Sequence, residues 1–216
     1  MPGRHRKSSG KALALHLACS VVAGAALCGG VAVTAHADTT SQKSRSQKSQ
    51  HAAAPVATAQ DVIALARKQV GIQEDGSGGG TKFQQWYMST PQAQLTLKRD
   101  GGTLADYGTA AWCDMFISWI GKHARVRGMG EDAYTVEHAK WFQRVGRWGS
   151  TPKPGAVVFF SWSGGGIDGI DHVGLVVKDN GNGTIQTIEG NTNNAVMARE
   201  RSTDSIVGYG YPEYAK

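Results

Sequence analysis

His172-Val173-Gly174-Leu175-Val176-Val177-Lys178-Asp179-Asn180-Gly181-Asn182-Gly183-Thr184-Ile185-Gln186-Thr187-Ile188-Glu189 is two β-branched, apolar runs around a turn of Asp, Asn and Gly. That is the composition of a β-hairpin. A two-residue turn at Asn180-Gly181 sets His172 directly across from Glu189, where opposite residues of an antiparallel pair hold their Cβ atoms about 5 Å apart. Asn191, two residues on, points the same way. A turn at Asn182-Gly183 places Glu189 opposite Val176 instead, and periodicity leaves both registers open. Upstream, Pro154-Gly155 turns into Ala156 to Phe160, a continuous apolar run that reads as a buried strand.

Ahead of these strands lie helices, which makes the fold class α+β. In Ala111-Trp112-Cys113-Asp114-Met115-Phe116 a polar loop gives way to a helix with Phe116, Ile117, Ile120 and Ala124 on one face. Cys113 then sits in the first turn, where unpaired N–H groups and the positive end of the helix dipole favour a thiolate and can hold an oxyanion. Asp114 opposes this, so the thiolate needs a cation nearby. His172 is the candidate, with Glu189 fixing its tautomer and favouring the imidazolium. An earlier helix opens at Thr58-Ala59-Gln60-Asp61 with a capping-box pattern, keeps helical spacing through Val62, Leu65, Ala66 and Val70, and stops at Gly71.

Arg4, Arg6, Lys7 and Lys11 precede the small, apolar stretch Ala12 to Val33 and the pattern Ala35-His36-Ala37, so residues 1–37 read as a secretory signal cleaved before Asp38. An uncleaved anchor is the alternative, because the stretch is about long enough to span a bilayer. Cleavage removes Cys19 and Cys28 and leaves Cys113 as the lone thiol, which is then a buried spare, an intermolecular crosslink or a nucleophile. Residues 38–57, rich in Ser, Gln, Lys and Ala, form a linker with too little apolar surface to fold. Residues 58–216 are one domain. The net charge of +6 comes from the leader and linker, and residues 61–216 carry sixteen basic and sixteen acidic side chains. Nucleic-acid binding gains no support from that balance.

Several other chemistries are disfavoured. Cys-x-x-Cys and His-Glu-x-x-His are absent, Asp168 and Asp171 lack EF-hand spacing, and Gly79-Gly80-Thr81-Lys82 inverts the phosphate-loop order, so neither a metal nor a nucleotide is expected. Ser161 and Ser163 lack the nucleophile-elbow glycines. Trp86, Tyr87, Trp141, Phe142 and Trp148 read as core, whereas Trp112 and Trp162 adjoin the expected site and read as substrate-binding cleft walls.

Trp112-Cys113, Pro154 to Phe160, Asp171-His172-Val173-Gly174-Leu175-Val176 and Ile188-Glu189-Gly190-Asn191-Thr192 resemble, in order, the blocks of the CHAP family of cysteine, histidine-dependent amidohydrolases and peptidases. The resemblance implies a papain-like domain with N-terminal helices packed on an antiparallel sheet. It also implies cleavage of amide bonds in bacterial peptidoglycan, with Cys113 as nucleophile, His172 as base, Glu189 orienting the base and Asn191 as an additional polar residue. No cofactor is implied. The expected protein is a secreted, cell-wall-associated monomer acting on peptidoglycan, without lasting membrane association. A non-catalytic wall-associated protein and a papain-like protease or acyltransferase acting on proteins are the competing classes.

Overall fold

The computed structural model describes residues 57–215. The expected signal peptide and all but the last residue of the expected linker lie outside that range. Helix α1 (Ala59–Arg67) starts as its sequence predicts: Thr58 accepts from the Asp61 N–H and Asp61 accepts from that of Thr58. The helix ends at Arg67 and turns continue to Gly71, whose positive φ of 94° completes the reversal. Helices α2 (Lys82–Met88) and α3 (Pro91–Asp100) follow, each begun by a threonine cap, Thr81 and Thr90. Helix α4 (Cys113–His123) is buried along Cys113 to Gly121, and α5 (Thr135–Arg144) closes the helical half. Among the described residues no helix is long and apolar enough to cross a membrane.

The second half is a six-stranded antiparallel sheet. Its strands are β1 (Trp148–Gly149), β2 (Val157–Phe160), β3 (His172–Asp179), β4 (Thr184–Thr192), β5 (Ala195–Ser202) and β6 (Ile206–Gly210), in the spatial order β1-β6-β2-β3-β4-β5. Helix α4 packs on β3 and β4. Behind it Phe83 stacks on Trp112 at 5.4 Å and meets Phe116 and Trp119 edge-on, an aromatic cluster that fixes the start of α4. This is the expected α+β, papain-like architecture; Tyr87 and Phe142 lie in its core, and Trp86, Trp141 and Trp148 are half-buried against it.

The hairpin register differs from both sequence alternatives. Strands β3 and β4 pair Leu175↔Ile188 and Val176↔Thr187, then Lys178↔Gln186 and Asp179↔Ile185, with a bulge at Val177. Asn180 N–H donates to the Thr184 carbonyl across a three-residue loop, Gly181-Asn182-Gly183. Each Asn-Gly signal is diverted: Asp179 accepts from the Gly181 N–H and Asn182 from that of Thr184, so these side chains close local turns. Continued past Leu175↔Ile188, the register sets Glu189 against Gly174, two residues from His172 on the same face.

Candidate active site

Gly190 is the joint between sheet and helix. A Cβ there would fall 2.6 Å from the Phe116 Cβ, so only glycine lets β4 lie this close to the first turn of α4. That approach packs β4 on α4 and brings Asn191 to the Trp112 N–H, just before Cys113. Cys113 is the first residue of α4, and no side chain caps the helix there, which leaves first-turn N–H groups open. Its side chain is buried, with 6% of the residue's surface exposed.

His172 bridges the thiol and the carboxylate. Its Nε2 lies 3.0 Å from Glu189 Oε2, and Cys113 is its other ionisable neighbour. Nε2 is committed to the carboxylate, so Nδ1 is the nitrogen left for the thiol. Burial alone pulls His172 down, but its neighbours Cys113 and then Glu189 outweigh it and hold the imidazole up at about 9. Burial pushes the Glu189 carboxyl up, yet Arg201 and His172 overcome this and keep it well below the usual carboxylate range. The His172–Glu189 contact expected from the sequence therefore forms diagonally, between residues that do not face one another in register.

Gly174 makes the diagonal possible. A Cβ on it would sit 2.8 Å from Glu189 Cγ. Gly174→Val is expected to cost about 1–3 kcal/mol through overpacking and to displace the carboxylate from His172. Urea denaturation measures the first effect. A fall in the Cys113 alkylation rate at mildly acidic pH measures the second, and an unchanged rate would show that Glu189 tolerates the displacement.

Asn191 takes a left-handed backbone, φ 56°, at an irregularity in the β4–β5 pairing. With its amide assigned so that both groups are satisfied, it accepts from the Trp112 N–H at 3.2 Å and donates to Glu74 at 3.2 Å. It thus braces the residue before Cys113. Trp112 requires a correction. It is wholly buried, stacks on Phe83, and donates its indole N–H to Glu74 at 2.8 Å, so it offers no cleft wall. Trp162 is the exposed one. It stands half in solvent at an opening of about 190 Å³ shared with His172, Asn191, Thr192 and Arg201.

Three features escaped the sequence reading: a pair of threonines, an arginine and a second histidine. Thr187 and Thr192 donate to Glu189 at 2.6 and 3.0 Å, and Arg201 grips both its oxygens. The third is His138 on α5, whose Nδ1 lies 2.7 Å from Asp114 Oδ1 and whose Nε2 lies 2.7 Å from the Met129 carbonyl, both side chains being buried. Both ring nitrogens face acceptors, so a proton must lie between His138 and Asp114. Burial pushes Asp114 up, while Asp114 lifts His138 against its own burial; both shifts describe one bridging proton held tightly. The pair is neutral overall. Asp114 is thereby prevented from opposing a thiolate at Cys113. No local pattern signals this partner, because it lies 24 residues away on another helix.

Residues 105–191 match the family model of the CHAP domain. The match takes in Cys113, His172, Glu189 and Asn191 and stops short of β5 and β6. No curated protein matches the chain.

Proposed function

Residues 105–191 belong to the CHAP domain family, a family of amidase- and peptidase-type hydrolases, and from that premise we propose that this protein is a secreted cysteine hydrolase cleaving amide bonds of cell-wall peptidoglycan. The observation that carries the reading is His172 held between Cys113 and Glu189 at the open start of α4. The Cys113 thiolate, its proton on His172, attacks the amide carbonyl, and a C–S bond forms. First-turn N–H groups of α4 receive the oxyanion. His172 gives its proton to the departing nitrogen as the C–N bond breaks. Water, deprotonated by His172, then hydrolyses the thioester and restores the thiol. Glu189 stays ionised throughout and orients the imidazole. Trp162 supplies an apolar wall for the substrate at the mouth of the opening.

Digestion of purified sacculi followed by mass spectrometry tests this, because a newly exposed amino group identifies the bond. Casein cleaved in preference to sacculi would overturn the substrate assignment. The pH profile tests the mechanism. His172 titrates at about 9, so turnover is expected to persist through neutrality and fall as pH passes about 9, when the imidazolium proton needed by the leaving amine is lost. Stability has the same sign. A histidine raised from 6.5 contributes fully below that pH, and its contribution is lost as pH rises toward 9. An alkaline limb near the ordinary histidine value would show that the imidazole is not held by its two neighbours.

A further inference from the structure

Glu189 accepts five hydrogen bonds, and only one comes from His172. Two come from Arg201, whose Nε donates to Oε1 at 2.9 Å and whose Nη2 donates to Oε2 at 2.6 Å. Arg201 stands on the edge strand β5, beyond the segment that the family model matches. Its guanidinium lies 5.0 Å from the Trp162 ring, which stacks in turn on Phe160 at 5.0 Å.

A carboxylate with no exposed surface and only an imidazole for a charged partner has a ready escape from burial: it takes up a proton. It would then no longer favour the imidazolium, and the thiolate would be lost with it. A guanidinium blocks that escape because it stays charged at every working pH and its planar fork matches a carboxylate. Charged or titratable groups on the elements around Glu189 include His172 on β3 and Arg199 and Arg201 on β5, with Cys113 and Asp114 at the start of α4. Of these groups only His172 and Arg201 hydrogen-bond to it. Asp114 is paired with His138 on α5. We propose that Arg201 is a positioning residue for the cysteine–histidine pair: its fork holds Glu189 ionised and aimed at His172, which keeps Cys113 reactive into mildly acidic pH.

This role rests on the hydrolase reading for its purpose, but alkylation of Cys113 tests it without a substrate. Rates with iodoacetamide are measured across the acidic and neutral range for the wild type, Arg201→Met and Arg201→Lys, beside urea denaturation and clearing of a sacculus suspension. Arg201→Met is expected to move the acid limb of alkylation upward by about one pH unit or more. Arg201→Lys, which keeps the charge and loses the fork, is expected to recover most of that shift. Where Arg201→Met fails to fold, the Lys variant carries the comparison, with a smaller upward shift expected. In a Glu189→Gln background, replacing Arg201 with Met should no longer move the limb. A role confined to packing Trp162 predicts slower alkylation by one factor at every pH, with the limb unmoved, and that result overturns the proposal. So does a full shift that persists without Glu189. A shifted limb in a protein that never clears sacculi supports Arg201 as assigned and removes the peptidoglycan reading instead.

Discussion

Cys113→Ser is expected to fold as the wild type does and to lose clearing of a sacculus suspension by at least about four orders of magnitude. The replacement is nearly isosteric in a buried site, so denaturation midpoints should agree closely. A serine hydroxyl is not ionised by the environment that favours a thiolate, so the imidazole at its side keeps Glu189 but loses the nucleophilic anion it would have paired with. Alkylation supplies an independent arm. The wild-type thiol should react rapidly at mildly acidic pH, whereas His172→Ala should keep the thiol but confine rapid reaction to alkaline pH. A Cys113→Ser protein that still clears the suspension, or identical alkylation profiles for the wild type and His172→Ala, would end the cysteine-hydrolase reading.

His138→Ala should have the largest effect on stability, about 3–5 kcal/mol, because it removes one member of a fully buried pair and strands the other. That is a large part of the 5–15 kcal/mol that typically holds a domain together. Asp114 Oδ2 already lacks a partner among the described residues, so the carboxylate has no second donor to fall back on. The loss should be smaller in acid, where a protonated Asp114 replaces the charged one. Urea denaturation across pH measures both statements. A loss below about 1 kcal/mol would show that water or a rearranged side chain can take the place of His138.

Much of the fold was legible because local chemistry and tertiary environment agree. The Thr58–Asp61 capping box, the helix beginning at Cys113 and the all-buried strand Val157–Phe160 each follow from patterns that packing reinforces. The hairpin was legible as a hairpin, but its register was not. Asp179 and Asn182 spend their side chains on local turns, and the bulge at Val177 shifts the ladder by one residue, so His172 meets Glu189 along a diagonal that pairing arithmetic does not reach. Strand β5 left a weak signal for a different reason. Arg199, Glu200 and Arg201 lie in an edge strand, where charge protects an open ladder and masks alternation. Trp112 misled because proximity in sequence to Cys113 says nothing about direction, and its indole turns inward to Phe83 and Glu74.

The placement of β6 has a consequence for anyone who would move this domain between proteins. The last strand in sequence is not at the rim: it lies between β1 and β2, pairing Val157↔Gly210 and Val158↔Tyr209 on one side and Trp148↔Gly210 on the other. Just beyond it, Tyr214 donates to the Gly155 carbonyl at 2.6 Å, and the Ala215 N–H returns to the Ala57 carbonyl at 3.1 Å, drawing the two ends of the described chain together. The family signature thus marks where the chemistry is written and not what must be carried to keep it. A graft cut at residue 191 would bring along Cys113 and His172 but leave β2 with an exposed edge and Glu189 without its arginine. The transferable unit runs from α1 through Tyr214, and its close-set ends suit it to insertion within a host loop as readily as to fusion at a terminus.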